Sequence, residues 1–299
     1  MRITKTFAET RAAATGRVGL VPTMGFLHEG HLSLIEAARE GNDTVTMSLF
    51  VNPLQFDRDS DLAKYPRDLE RDVDLAAAAG ADIVFAPDLD EMYPTEQLTR
   101  VQVSRLSDEM EGPNRPGHFE GVATVVAKLL AGIQPDRSYF GRKDAQQLAI
   151  VRRMSVDLSY PGEIIGVPIV READGLALSS RNIFLSAEER ESALALSRGL
   201  MAAGDLAETG EVDVGQLVSA VLTEIEKSPE LSIEYVTLAS QDLVQPLEAL
   251  DRSAFLALAS WSGETRLIDN VHLDQTEHGF VADRGSRLET PSILYGGEG

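Results

Sequence analysis

The run from Val18 to Gly41 constrains the fold more than any other part of the chain. A short apolar stretch, Val18 to Val21, leads into Pro22-Thr23-Met24-Gly25-Phe26-Leu27-His28-Glu29-Gly30-His31. An amphipathic stretch, Leu32 to Arg39, leads out and stops at Gly41. Strand, glycine turn and helix start in that order place the turn at the carboxyl end of the first strand of an open α/β sheet. A helix N-terminus there offers unpaired N–H groups and partial positive charge to a phosphate. Gly30 lets backbone approach a ligand closely, and His28 and His31 can each place a donor on a phosphoryl oxygen. Two helix-capping surface histidines are the plainer alternative. His-Glu-Gly-His lacks the spacing that sets two zinc ligands on one helical face.

The H-x-G-H pattern is the phosphate-handling signature of the class I nucleotidyl-transfer fold, but four positions do not carry that reading alone. Composition narrows the field. With 48 acidic and 27 basic residues the net charge is −21, a surface that repels polyanions and shows no basic stripe for nucleic acid. A few cations in a cleft still suffice for a small phosphate ligand. The longest apolar run, near Val122 to Ile133, is broken by Lys128 and Gly132, so no membrane span is expected. Met1 to Thr10 does not read as a signal peptide. The chain has no cysteine, which removes disulfides, thiolate nucleophiles and cysteine metal sites and makes a cytoplasmic location the default.

Further along, Val45 to Val51 reads as a buried parallel strand that runs into Asn52-Pro53-Leu54-Gln55-Phe56. Pro66 marks the first turn of a helix to Ala79, and Ile83 to Ala86 the next strand. Between Asp88 and Gly117 a strand at Val101–Val103 and a short helix at Leu106–Glu111 are expected. A Gly/Pro-rich loop then delivers Glu111, Arg115, His118 and Phe119. Glu120 to Ile133 is a helix, Ser138 to Phe140 a strand, and Gly141-Arg142-Lys143-Asp144 opens a helix to about Leu158. A lysine in a helix's first turn opposes the macrodipole, which favours a ligand reason for its presence. Ile164 to Val170 is the last strand of the alternating half. Helices near 187–204 and 213–227 and antiparallel strands near 231–238, 254–260 and 264–269 come next, with a Ser186/Glu189 capping box at the start. The fold class is therefore α/β, a Rossmann-like parallel sheet over 1–170 with a smaller α+β lid domain over 171–274. The tail, 275–299, has the polar, glycine-rich, acidic composition of a disordered segment.

Three junctions now carry phosphate-type groups: His28 and His31, Lys143, and Ser179-Ser180-Arg181. With VPTMGFLHEGH, FVNPLQF, YPRDLERD, EGPNRPGHFEGV, FGRKDAQQL and READGLALSSRN in this order, the chain closely resembles the pantoate–β-alanine ligases (pantothenate synthetases) over roughly residues 15 to 270. The resemblance implies a homodimeric cytoplasmic enzyme that joins pantoate to β-alanine with ATP and Mg²⁺ through a pantoyl-adenylate, feeding coenzyme A synthesis. It implies that His28 and His31 stabilise the transition state at the α-phosphate. Lys143, Ser179, Ser180 and Arg181 would hold the β- and γ-phosphates. Gln55 and Gln147 would bind pantoate, with Met24 and Pro22 as an apolar wall and Gly30 beside the nucleotide. Gly141 and Asp144 would contact the ribose, and Val170 and Leu178 the adenine. Asn52, Tyr65, Glu111, Arg115 and His118 would line the β-alanine route, and Asp72 would serve the Mg²⁺ region. The loop Arg171 to Asn182 would order over ATP.

Plainer readings stand beside these. Met24 reads equally as core, Asp72 as part of a solvated helical face, and Glu111 with Arg115 as a loop ion pair. His272 and His278 match no motif and read as surface residues. The family's lysine motif has an acid at the position of Arg142 and an aromatic at that of Ala145. Arg142 is thus expected to add positive charge beside the phosphates, and Ala145 to loosen the pantoate side. The competing functions are another nucleotidyltransferase of this fold, a small aminoacyl-tRNA synthetase relative, or a non-catalytic nucleotide-binding protein.

Overall fold

A computed structural model describes residues 1–56, 62–63 and 65–295. The chain divides into two compact units, Met1–Gly141 with Gln146–Val167, and Arg142–Ala145 with Pro168–Gly299. In the first unit, strands β1 (Arg2–Thr4), β2 (Val18–Thr23), β3 (Thr44–Leu49), β4 (Ile83–Phe85), β5 (Arg137–Gly141) and β6 (Glu163–Val167) form one sheet in the order β1-β4-β3-β2-β5-β6. Every neighbouring pair is parallel. Chain order reverses between β2 and β5, and such a switch point opens a crevice beyond the carboxyl ends of the strands.

Pro22 shows how the sequence builds that crevice. β2 pairs with β5 only at Gly19 and Leu20 but stays in register with β3 as far as Thr23. The Thr23 carbonyl accepts from Phe50 N–H on the β3 side at 3.1 Å. Alternation turns the Pro22 nitrogen to the other side, where pairing has ended and a missing N–H costs no ladder bond.

Helix α1 (Phe7–Ala13) begins at a Thr6/Glu9 capping box, and α2 (Glu29–Gly41) follows β2. Leu34, Ile35 and Ala38 of α2 pack on Val21, Val45, Met47 and Val84. Helix α3 runs Leu69–Ala78 rather than from Pro66, because the Asp68 carboxylate caps Arg71 N–H. A single turn, α4 (Leu89–Met92), precedes the long helix α5 (His118–Ile133). The strand expected at Val101–Val103 and the helix expected at Leu106–Glu111 do not form; the second stretch is a series of turns. Gln146 holds it together. Its amide donates to the carbonyls of Leu106 at 2.7 Å and Glu109 at 2.8 Å and accepts from Glu111 N–H at 3.1 Å. Helix α6 (Ala145–Asp157) leads on to β6.

The second unit packs α7 (Ala187–Glu208) and α8 (Val214–Ile225) on an antiparallel sheet. Its strands are β8 (Leu231–Ser240), β9 (Ala254–Ser262), β10 (Thr265–Thr276) and β11 (Gly279–Asp283), in the order β11-β10-β9-β8. The run expected as one strand from Ile164 to Val170 is divided after Val167. Val170–Arg171 is a separate strand, β7, paired in parallel with β12 (Ser286–Arg287).

The segment from residue 275, whose composition suggests disorder, is structured as far as it is described. β10 turns into β11, then β12, and Ile293–Tyr295 forms a 3-10 turn. Composition averaged over the segment hides its alternation. Ala282 is interior while Val281 is exposed, and Arg284 bridges to Asp205 and Glu208 of α7. Residues 296–299 lie outside the described residues. No described helix is long and apolar enough to cross a membrane.

Candidate active site

In the first unit the turn after β2 is built on Asp72. Gly25 has φ +87° and Phe26 φ +53°, a left-handed pair that a phenylalanine adopts only at a cost. The Asp72 carboxylate holds it there, with Oδ2 accepting from Phe26 N–H and Oδ1 from Leu27 N–H, both at 2.7 Å. A Cβ at position 25 would lie 2.8 Å from Asp72 Oδ2, so the glycine permits this approach. Arg71 closes the turn by donating to the Leu27 carbonyl at 3.0 Å and lying over the Phe26 ring. Asp72 is 1% exposed. It is not on a solvated face: both of its oxygens accept from the backbone of the turn. Asp72 thus clamps the turn, whatever it contributes near a nucleotide.

The two histidines come next, at the start of α2. His28 is its N-cap, and its Nδ1 accepts from Gly30 N–H at 3.1 Å; His31 Nδ1 accepts from His28 N–H at 3.3 Å. The rings stand 4.1 Å apart. With Nδ1 an acceptor in both, each neutral ring carries its proton on Nε2. Two imidazole donors and the amino end of a helix thus share one turn, which suits an anion with charge developing on it.

Gln55 lies in the 3-10 turn Pro53–Gln55, and its amide nitrogen is 2.9 Å from Met24 Sδ. Asn52 fixes this turn. Buried at 1% exposure, it donates to Gln55 Oε1 and to the Gly121 carbonyl, both at 3.1 Å, and accepts from Tyr93 Oη–H at 2.8 Å. The His118 ring bonds the Gln55 carbonyl at 2.9 Å, and a Cβ on Gly121 would meet the Leu54 carbonyl oxygen at 2.2 Å. Asn52 and His118 are therefore supports of Gln55 as well as β-alanine candidates. Met24, Pro22, Tyr65, Arg115 and Gln147 are half-buried and Glu111 is buried. Gln146 and Gln147 are adjacent in sequence but differ in burial: Gln146 is interior and braces a loop.

Lys143 belongs to the second unit, in the 3-10 turn Arg142–Asp144. The Asn270 amide donates to the carbonyls of Arg142 at 3.1 Å and Lys143 at 2.8 Å, and His272 Nε2 lies 3.3 Å from the Arg142 carbonyl. Arg142 does not add its charge to a phosphate site. Its guanidinium is committed to Asp274 at 3.0 Å and Asp283 at 2.9 Å. Ala145 is buried. Gly141 is half-buried and Asp144 exposed. Ser179 caps the 3-10 turn Ser180–Phe184, its hydroxyl accepting from Arg181 N–H at 3.3 Å. Ser180 is half-buried and Arg181 exposed, while Val170 and Leu178 are interior and joined by a Leu178 N–H to Val170 carbonyl bond of 2.9 Å.

His272, expected at the surface, is 3% exposed; His278 is exposed as expected. The error at His272 has a physical source. It lies in the second half of β10, beside the carbonyl of Arg142, a partner far away in sequence. Burial first, and the Arg142 charge second, push its imidazole down to about 4, against the opposing pull of its bond to the Arg142 carbonyl and of Asp274 and Asp283. The unfolded chain takes up that proton near pH 6.5 while the folded chain does not. Stability is thus complete above pH 6.5 and declines as pH falls toward 4, by about 3 kcal/mol in all. In His272→Gln, which retains a donor but cannot titrate, denaturant midpoints between pH 7 and 4.5 should decline less than in the parent chain. An equally steep decline would contradict this.

The H-x-G-H turn at the switch point of a parallel sheet belongs to the first unit, Lys143 and Ser179-Ser180-Arg181 belong to the second, and the chain is similar throughout to ATP-using ligases. The pantoate-beta-alanine ligase family model matches residues 2–272. The pantothenate synthetase of Moorella thermoacetica is 54% identical over 280 residues, covering 92% of this chain and 99% of that protein. A crystal structure of pantothenate synthetase from Thermus thermophilus superposes with a TM-score of 0.85 at 50% identity, over 90% of this chain and 98% of that one. The pantoate-beta-alanine ligase of Francisella tularensis, complexed with beta-gamma ATP and beta-alanine, gives 0.73 at 32% identity, over 90% and 97%. The chain belongs to the pantoate–β-alanine ligase family.

Proposed function

We propose that the protein condenses pantoate with β-alanine at the expense of ATP, through a pantoyl-adenylate. The observation that carries this reading is that Nδ1 of both His28 and His31 accepts a backbone N–H at one helix start, so that each neutral ring bears its proton on Nε2. A carboxylate attacking the α-phosphate meets anion–anion repulsion, so catalysis rests on positioning and on neutralising charge. His28 and His31 are assigned to the α-phosphate oxygens, and Lys143, Ser180 and Arg181 to the β- and γ-phosphates and the departing pyrophosphate. Gln55 and Gln147 are assigned to pantoate, with Met24 and Pro22 beside it. The amine of β-alanine then attacks the acyl-adenylate directly, without an enzyme nucleophile, and the Francisella complex supports ATP and β-alanine as ligands.

Magnesium is assigned to the nucleotide, as MgATP, because Mg²⁺ keeps several waters and takes substrate phosphates with one or two carboxylates as its further ligands. A homodimer in the cytoplasm is supported by the family resemblance. The reaction is tested with pantoate labelled with ¹⁸O in its carboxylate. One labelled oxygen should appear in AMP, because the carboxylate oxygen that attacks phosphorus stays on it when the amide forms. Label-free AMP would contradict the adenylate route.

A further inference from the structure

The family match ends at residue 272, and the Moorella relative is covered over 99% of its length against 92% of this chain. The segment beyond the match is an addition, and it does not hang loose. Resting on the assignment of Ser180 and Arg181 to phosphates, we propose that residues 285–295 are a cis-acting strap that positions the Ser179–Arg181 loop for the triphosphate, with Arg287 and Tyr295 as positioning residues.

The strap enters at Gly285, whose φ of +77° and close approach to the Ile169 carbonyl, 2.1 Å from where a Cβ would sit, exclude any larger residue. It then pairs with the strand from which the loop departs. Ser286 N–H donates to the Ile169 carbonyl at 2.8 Å and Leu288 N–H to the Arg171 carbonyl at 2.9 Å. Arg287 reaches over the loop and donates through Nε to the Ala173 carbonyl at 2.7 Å. At its far end Tyr295 Oη–H donates to Glu172 Oε1 at 3.0 Å and accepts from Arg190 Nη1 at 2.6 Å, with the Arg190 guanidinium over its ring. Burial, and then the Glu172 carboxylate, push this phenol up to about 12, so it remains a donor throughout the neutral range.

Glu172 passes the restraint on. It is 2% exposed; Oε1 also accepts from Asn182 Nδ2 at 2.6 Å, and Oε2 accepts from Arg190 at 2.7 Å. Asn182, equally buried, donates its backbone N–H to the Ser179 carbonyl at 3.0 Å. Tyr295, Glu172, Asn182 and Ser179 form one continuous bonded path, and it ends on the cap of the turn that carries Ser180 and Arg181, the residues assigned to the phosphates. Glu172 and Asn182 lie inside the family motif, whereas Tyr295 and Arg287 lie outside it. The strap therefore adds a second hold to a loop whose other bonds come from within the matched region.

The experiment compares the full chain with a chain ended after Arg284 and with Tyr295→Phe. In the shortened chain the KM for ATP should rise about ten-fold and the KM for pantoate should stay unchanged, since only the triphosphate end loses its positioning. Tyr295→Phe, which loses a partly exposed bond, should raise it about three-fold. Amide exchange across residues 171–184 should quicken in both. A merely structural role would lower kcat by reducing active protein and leave both KM values alone. An unchanged ATP KM with unchanged exchange in the folded shortened chain overturns the proposal. If that chain does not fold, the same result in Tyr295→Phe overturns it. The parent assignment is judged separately by Arg181→Ala: an unaltered ATP KM and kcat there removes the phosphate role, while the exchange measurement still reports on the strap.

Discussion

Replacing Asp72 with alanine should cost about 3–5 kcal/mol of folding stability and at least about 10²-fold in kcat/KM. The stability loss has two parts. Two backbone N–H groups, the part-buried one of Phe26 and the buried one of Leu27, lose their acceptors, at about 1–2 kcal/mol each. The left-handed Phe26 also loses what holds it in place, which adds about 1 kcal/mol. The activity loss follows from chain connectivity, because His28 comes immediately after Leu27, and a displacement near 1 Å at a catalytic group costs about 10² in rate. Denaturant unfolding and steady-state kinetics check the two parts. A magnesium ligand would behave differently: Asp72→Asn would leave stability intact and raise the Mg²⁺ concentration needed for half-maximal rate. That pattern would contradict the clamp.

The histidines give the second large effect, and the caps allow it to be separated from folding. Asparagine presents an oxygen near the position of imidazole Nδ1 and is a favourable N-cap. His28→Asn and His31→Asn should therefore retain the acceptors for Gly30 N–H and His28 N–H while removing Nε2. Each should lose about 10²–10³ in kcat, the usual worth of one transition-state donor, with stability changed by no more than about 1 kcal/mol. His28→Ala should lose both, since the cap goes too. Equal activity in His28→Asn and the parent chain would show that the imidazoles are caps only.

These cases also show which parts of the fold and site were legible in the sequence. The β2–turn–α2 frame could be read because apolar period, glycine and cap signals agree at one place. The antiparallel strands of the second unit were placed within a few residues, though β10 runs to Thr276 rather than 269. What escaped were contacts between residues distant in sequence. Asp72 looks like one more carboxylate in a charged helix until Phe26 and Leu27 are brought to it from 46 and 45 positions away. Arg142 looks like an added charge until Asp274 and Asp283 neutralise it. Asn270 carries no motif signal and is defined only by the two carbonyls it holds. The segment after 275 was misjudged because a two-residue strand such as Ser286–Arg287 exists only through its partner β7. Gln146 and Gln147 were separable in principle, since positions one apart point to different helix faces, but only the fold says which face is the interior.

The most direct test of the central claim is exchange of labelled pyrophosphate into ATP, with Mg²⁺ present and β-alanine absent. Exchange should depend on pantoate and fall about 10²–10³-fold in His28→Asn. Exchange that proceeds equally well without pantoate, or none at all in a chain that binds ATP and pantoate, would contradict it.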